Sequence, residues 1–131
     1  MIKSGGNRVS PREIEDVIAE CRDVVEAAVV GVPHEILGEA IVAFVVLSTG
    51  ADSPAPRILD HCRRRMPHFK TPELVIHLSR LPYNGTGKIL KAGLKPLAAD
   101  LLTPAFSRES SMVFEDQSIR VLGIERAFAS V

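Results

Sequence analysis

The chain has 131 residues, about the length of one domain and too short for two of full size. Sixteen Lys and Arg balance sixteen Asp and Glu, and a 46% apolar share supplies a core, so the composition excludes a disordered chain. The longest apolar run, residues 40–47, is eight residues long, against the ~20 needed to span a bilayer. Two cysteines, Cys21 and Cys62, make no disulfide framework; both occupy helix-like apolar positions and read as reduced core residues. The N-terminus lacks a charged-then-apolar signal pattern, so the expectation is a cytoplasmic protein without a membrane association.

Residues 1–7 form a polar, glycine-bearing opening. Ser10-Pro11-Arg12-Glu13 predicts a helix start: Ser10 can accept from a first-turn amide, Pro11 suits the first helical position, and Glu13 completes a capping box. Ile14, Val17, Ile18 and Cys21 then recur on one helical face. Residues 25–32 read as a strand stopping at Pro33, and residues 40–47 as a strand buried on both faces. The six residues from His34 to Glu39, with Gly38 for a turn, suit an antiparallel connection. A loop over 49–54 starts a second helix carrying Ile58, Leu59, Cys62 and Met66, which Pro67 ends. Residues 74–78 read as a short strand, and 81–87 as a turn-rich loop. Lys88 is expected to open a third helix, with Pro96 as a kink or a restart. The order α, β, β, α, β, α predicts an α/β (α+β) sandwich: one sheet of about three strands with helices packed on it. The expected division is a domain over 1–102 and a tail over 103–131. In that tail, residues 112–124 could form two short strands, add an edge strand, stay flexible or dock on a partner.

Zero net charge hides an asymmetry. Residues 12–39 carry two basic and eight acidic side chains, whereas residues 57–95 carry nine basic and two acidic ones. Two solvated faces with partly cancelling fields would explain this; so would a half that faces nucleotide phosphates, coenzyme A or nucleic acid. Aromatic residues are only 5% and none interleaves with the Arg63-Arg64-Arg65 run, which argues against nucleic acid. That run is either a solvated face or a contact for coenzyme A phosphates or an acidic helix. His61, Cys62 and His68 lack zinc spacing, and no metal ligand set is expected.

Two short stretches carry chemical potential. In Leu81-Pro82-Tyr83-Asn84-Gly85-Thr86-Gly87-Lys88-Ile89, two glycines flank a threonine before a lysine whose compact charge could reach a phosphate or carboxylate. Pro82 and Ile89 exclude a P-loop, which needs Gly and Ser or Thr there. In Ile2-Lys3-Ser4-Gly5-Gly6-Asn7-Arg8-Val9, adjacent glycines permit positive φ or close passage of a ligand. Taken singly, each could be no more than a turn beside a helix.

Together these stretches resemble a known family. With Glu26-Ala27-Ala28-Val29-Val30-Gly31-Val32-Pro33-His34 through Gly38-Glu39-Ala40, and Ala43-Phe44-Val45-Val46-Leu47, their order and spacing are similar to the C-terminal domain of the adenylate-forming, AMP-binding acyl-activating enzymes. That family comprises acyl-CoA synthetases, nonribosomal peptide synthetase adenylation domains and luciferases. The resemblance covers residues 2–102. It implies a lid that serves two half-reactions: a carboxylate attacks the α-phosphate of ATP, then a thiol displaces AMP. Lys88 is implied to be the catalytic lysine of adenylation, and Gly6 to leave room for pantetheine in the thioester half. Gly5, Gly6 and Arg8, with Gly85, Thr86 and Gly87, are implied to line bound substrate or cofactor, Arg8 meeting a phosphate or an acidic partner residue. ATP/AMP with Mg2+, and CoA or phosphopantetheine, belong to the complete enzyme; none is expected to bind tightly to this chain alone. The implied partners are an N-terminal adenylating domain in cis or in trans, a carboxylic acid, and CoA or an acyl carrier protein, with a homo-oligomer left open.

Departures from the family pattern set limits. The residues that would hold adenine, the phosphate-binding loop and the acyl pocket are not in this sequence, and neither is the hinge acid expected before Met1. The chain by itself is therefore expected to be inactive. Asn84-Gly85 stands where the family often has Pro-Thr or Arg-Thr, and the stretch from Thr103 has no counterpart. The alternative is a freestanding, non-catalytic module that binds CoA, a carrier protein or a protein partner.

Overall fold

The computed structural model of the chain describes residues 1–48, 54–102 and 119–126. Its elements run in the order β1 (Ile2–Ser4), β2 (Asn7–Val9), α1 (Pro11–Ala19), β3 (Val24–His34), β4 (Gly38–Leu47), α2 (Pro54–Arg65), a 3-10 turn (His68–Lys70), β5 (Leu74–Leu78), α3 (Lys91–Leu102) and β6 (Val121–Arg126). The Ser10 cap forms as expected: its hydroxyl accepts from the Glu13 amide at 3.4 Å. The Glu13 carboxylate reaches Lys70 instead of closing the box.

Strand β4 is the spine of the sheet. β3 pairs antiparallel with it throughout, from Val24 opposite Leu47 to His34 opposite Gly38. β5 runs parallel to it over Val42–Val45, and β1 meets it at Gly38. β2 extends β1, and β6 extends β5 antiparallel.

Strand alternation decides the layers. Ala28, Val30, Val32, Ala40, Val42, Phe44, Leu74, Ile76 and Leu78 face α3, whose Leu94, Leu97, Ala98 and Leu101 cover them. Val29, Ile41, Ala43, Val45 and Val75 face the other way, onto Ile14, Val17 and Ile18 of α1 and Ile58, Leu59 and Cys62 of α2. The result is a sheet between two helical layers, an α/β sandwich in which the central strands are buried on both sides.

Three features differ from the sequence reading. Among the described residues the sheet has six strands rather than about three. β1 and β2 have three residues each, too short to show alternation, and only Ile2, Ser4 and Val9 are buried. β6 lies beyond residue 103 and takes the edge-strand alternative for that stretch; the other strand envisaged there falls outside the described residues. Third, α3 begins at Lys91, not Lys88. An isolated bridge between Tyr83 and Ile89 keeps the chain extended there, and the helix starts only after it. α3 then continues through Pro96.

Candidate functional site: a glycine hairpin and a lysine loop

The glycine stretch is the turn of the β1–β2 hairpin. Gly5 and Gly6 have φ of +58° and +82°, a left-handed pair that L side chains resist. The Gly5 amide donates to the Leu37 carbonyl at 2.9 Å, and the Lys3 amide to Glu39 Oε1 at 2.9 Å, so one backbone bond and one bond to a carboxylate seat the hairpin on the β3–β4 connection and the start of β4. A Cβ added to Gly6 would meet nothing within 4 Å: the outer side of the turn is open. Lys3 and Arg8 face each other across the hairpin, both exposed. Neither has an ion-pair partner among the described residues.

The lysine loop is built differently. It closes as a small hairpin: the Asn84 amide donates to the Lys88 carbonyl at 2.8 Å, and the Leu90 amide to the Pro82 carbonyl at 2.9 Å. Asn84 Oδ1 accepts three bonds, from the Thr86 amide (2.9 Å), the Thr86 hydroxyl (2.7 Å) and the Lys88 amide (3.0 Å). Gly87, at φ +84°, turns the chain back. Residues 84–88, including Gly85, Thr86 and Lys88, are all exposed. Downstream, Lys91 Nζ pairs with Glu15 Oε2 of α1 at 2.7 Å, and the same oxygen accepts the Val29 amide of β3 at 2.8 Å. Glu15 thus satisfies an edge-strand donor and anchors the loop's exit.

About half of the charge asymmetry is consumed inside the molecule. The acidic segment pairs with the basic one through Asp23–Arg57, Glu20–Arg65, Glu13–Lys70 and Glu15–Lys91, at 3.6, 2.8, 2.8 and 2.7 Å. Arg63 of the arginine run bonds Asp60. Arg65 and then His61 donate to Glu20, holding its carboxyl down at about 2. Lys88 has no such partner among the described residues, so its ammonium is free to meet an anion from outside.

Cys62 is buried and burial pushes its thiol up to about 12; Cys21 is only half-buried, with its thiol also raised by burial. An open cleft of about 150 Å³ between the α1–β3 connection and α2 is lined by Cys21, Arg22, Arg57, His61 and Arg64 among others, and by no residue of either loop. Among the described residues, no three His, Cys, Asp or Glu side chains converge as a metal site. Nor is any described helix long and apolar enough to cross a membrane.

The structure therefore collects the candidate residues into two loops, Gly5, Gly6 and Arg8 in one and Gly85, Thr86, Gly87 and Lys88 in the other. The sequence reading missed Asn84, Glu15 and Lys91 as supports. Asn-Gly marked a turn at 84–85, but nothing local marks which donors the Asn oxygen will take.

Residues 13–88 match the AMP-binding enzyme C-terminal domain family. A peroxisomal butyrate–CoA ligase of Arabidopsis thaliana is 41% identical over 105 residues, covering 78% of this chain and 18% of the ligase. A long-chain-fatty-acid–CoA ligase of Yersinia pestis is 42% identical over 95 residues, covering 72% of this chain and 17% of that protein. Among solved structures, ATP-bound MatB from Rhodopseudomonas palustris superposes with a TM-score of 0.74 at 37% identity, over 77% of this chain and 20% of that one. A Mycobacterium tuberculosis fatty acyl CoA synthetase gives 0.66 at 41% identity, over 73% and 19%. The chain thus spans about a fifth of the length of the proteins it matches. With the family match running over α1, the spine of the sheet and the lysine loop to Lys88, the chain belongs to the AMP-binding enzyme C-terminal domain family.

Proposed function

We propose that this chain is the lid of an ATP-dependent, AMP-forming acyl-CoA ligase and that its two loops serve successive half-reactions over an adenylating domain. The observation that carries this reading is the separate seating of the loops. The lysine loop is tied through Lys91 and Glu15 to the outer edge of β3, and the glycine hairpin to the β3–β4 connection. One rigid body can therefore offer one loop and then the other.

In the first half, a carboxylate oxygen attacks the α-phosphorus of ATP. The bond from that phosphorus to the β-bridging oxygen breaks, and pyrophosphate leaves with the electron pair. Negative charge builds on the α-phosphate oxygens. Lys88, exposed and without an ion-pair partner among the described residues, supplies a cation there once the lid excludes water; preorganised charge of this kind contributes several kcal/mol. In the second half, a thiolate attacks the acyl carbon and the acyl–oxygen bond breaks, releasing AMP. The Gly6 turn, having no side chain on its open side, lets an extended thiol arm pass beside the backbone. Arg8, with Lys3 opposite it, adds positive charge beside that path. Any Mg2+ would arrive with ATP on the adenylating domain, and no step here runs through a metal held by this chain.

The test is ATP–pyrophosphate exchange with an adenylating domain of the family supplied in cis or in trans. Exchange should require this chain and should be lost with Lys88→Ala. Exchange that proceeds equally well with Lys88→Ala would overturn the lid role. Saturable CoA or carrier-protein binding by the chain alone, with Lys88 dispensable for any turnover, would instead indicate a freestanding binding module.

A further inference from the structure

We infer that Asn84 is the positioning residue for Lys88; the inference rests on Lys88 being the adenylation lysine and adds what aims it. Both polar groups of the Lys88 backbone end on Asn84. Its carbonyl accepts from the Asn84 amide at 2.8 Å, and its amide donates to Asn84 Oδ1 at 3.0 Å. The same oxygen takes the Thr86 amide and hydroxyl, at 2.9 and 2.7 Å. A further turn bond, from the Gly87 amide to the Asn84 carbonyl at 3.1 Å, adds to the frame.

The other ties on the loop, the Leu90 amide on the Pro82 carbonyl and the bridge between Tyr83 and Ile89, lie below its tip. Residues 84–88 are exposed, and a Cβ added at Gly85 or Gly87 would meet nothing within 4 Å, so no packing among the described residues holds this tip. Two glycines flanking Thr86 would otherwise leave it with many backbone conformations. A lysine side chain has four soft torsions, so fixing its Cα is the one control the protein has over where the ammonium arrives. Asn84 itself lies at the base of the turn, its side chain engaged within the loop, so it acts through Lys88 and not on the substrate.

All three bonds to Oδ1 run from donors to an acceptor, which separates two substitutions. Asn84→Ala removes the acceptor. The freed donors are exposed and take water, so the fold survives while the loop loosens. Asn84→Asp keeps an acceptor oxygen in the same place.

The experiment compares the wild-type chain with Asn84→Ala, Asn84→Asp and Lys88→Ala, each with the adenylating domain present, and follows the two half-reactions separately. Asn84→Ala should lower kcat for adenylation by about ten- to hundredfold, the cost of a misplacement near 1 Å, with KM for ATP unchanged. Thioester formation from supplied acyl-adenylate should stay at the wild-type rate. Asn84→Asp should restore adenylation to within about threefold, since the acceptor geometry is kept. On the chain alone, hydrogen exchange at the Lys88 amide should quicken in Asn84→Ala and not in Asn84→Asp. Adenylation unchanged in Asn84→Ala while Lys88→Ala abolishes it would overturn the positioning role alone. Equal loss of both half-reactions in Asn84→Ala would mean a structural defect and would also overturn it. A harmless Lys88→Ala would remove the underlying reading as well.

Discussion

The two loops are exposed turns of similar length, yet they are built on opposite principles. The glycine hairpin is held mainly by backbone bonds, the ladder pairs from Ile2–Val9 to Ser4–Asn7 and the Gly5 amide on the Leu37 carbonyl, with the Glu39 carboxylate accepting one further amide, that of Lys3. Ile2 and Val9 pack into the core beneath it, while Gly5, Gly6 and Arg8 at the turn are exposed. The lysine loop depends on particular side chains, the Asn84 oxygen within it and the Glu15 carboxylate behind it. A passage for a neutral thiol arm needs an open shape, which backbone alone can provide. A cation aimed at a developing charge needs a fixed origin, which takes dedicated acceptors.

Substitutions can break this contrast in graded ways. The largest effect belongs to Lys88→Ala, which should slow adenylation by about 100- to 1,000-fold, the usual result of removing one preorganised charge. Thermal unfolding should be unchanged, because the side chain is exposed and has no ion-pair partner among the described residues. Next comes Glu15→Ala. It leaves the Val29 amide without its acceptor and Lys91 without its partner, so urea unfolding should show a loss of about 1–3 kcal/mol. Lys91→Ala should cost less, since Glu15 still accepts the Val29 amide.

Gly6→Ala sharpens the other side of the contrast. The methyl meets no atom of the chain but forces an L residue to φ +82°, at roughly 1 kcal/mol. It projects into the open space, so thioester formation should fall by about tenfold while pyrophosphate exchange holds.

The smallest effect concerns charge outside both loops. Glu20 titrates at about 2, below its ordinary value of 4.5, because Arg65 and His61 donate to it. A lowered folded-state value means that its stabilisation is complete above about pH 4.5 and is lost as pH falls through 2. Glu20→Gln should therefore be less stable than wild type at pH 7, with the difference closing in acid unfolding curves between those values. The Glu20 side chain is 41% exposed, so the difference should be slight and should shrink in high salt.

Legibility in the sequence followed the same division. α1, β3, β4 and β5 were readable because burial writes a period into them: Ile14, Val17 and Ile18 on one helical face, and the unbroken apolar run of β4 buried on both sides. The Ser10 cap was readable because its partner lies three residues away. β1 and β2 were not, because three-residue strands carry no period and their pairing is set by the Gly5-Gly6 turn. Lys88 looked like a helix start because Ile89, Leu90 and Leu94 suggest a helical face. The bond from Asn84 and the bridge at Ile89 override that local pattern. The candidate residues were visible as two motifs, whereas their supports were not. Glu15 reaches Val29 and Lys91 across 14 and 76 positions, a contact that only the folded sheet edge creates.

The most direct test is a double dissociation of the half-reactions, with Lys88→Ala and Gly6→Ala each assayed for pyrophosphate exchange and for thioester formation from supplied acyl-adenylate. Two loops serving two steps predict that Lys88→Ala loses only the first activity and that Gly6→Ala loses mainly the second. Parallel loss of both activities in either variant would contradict that division.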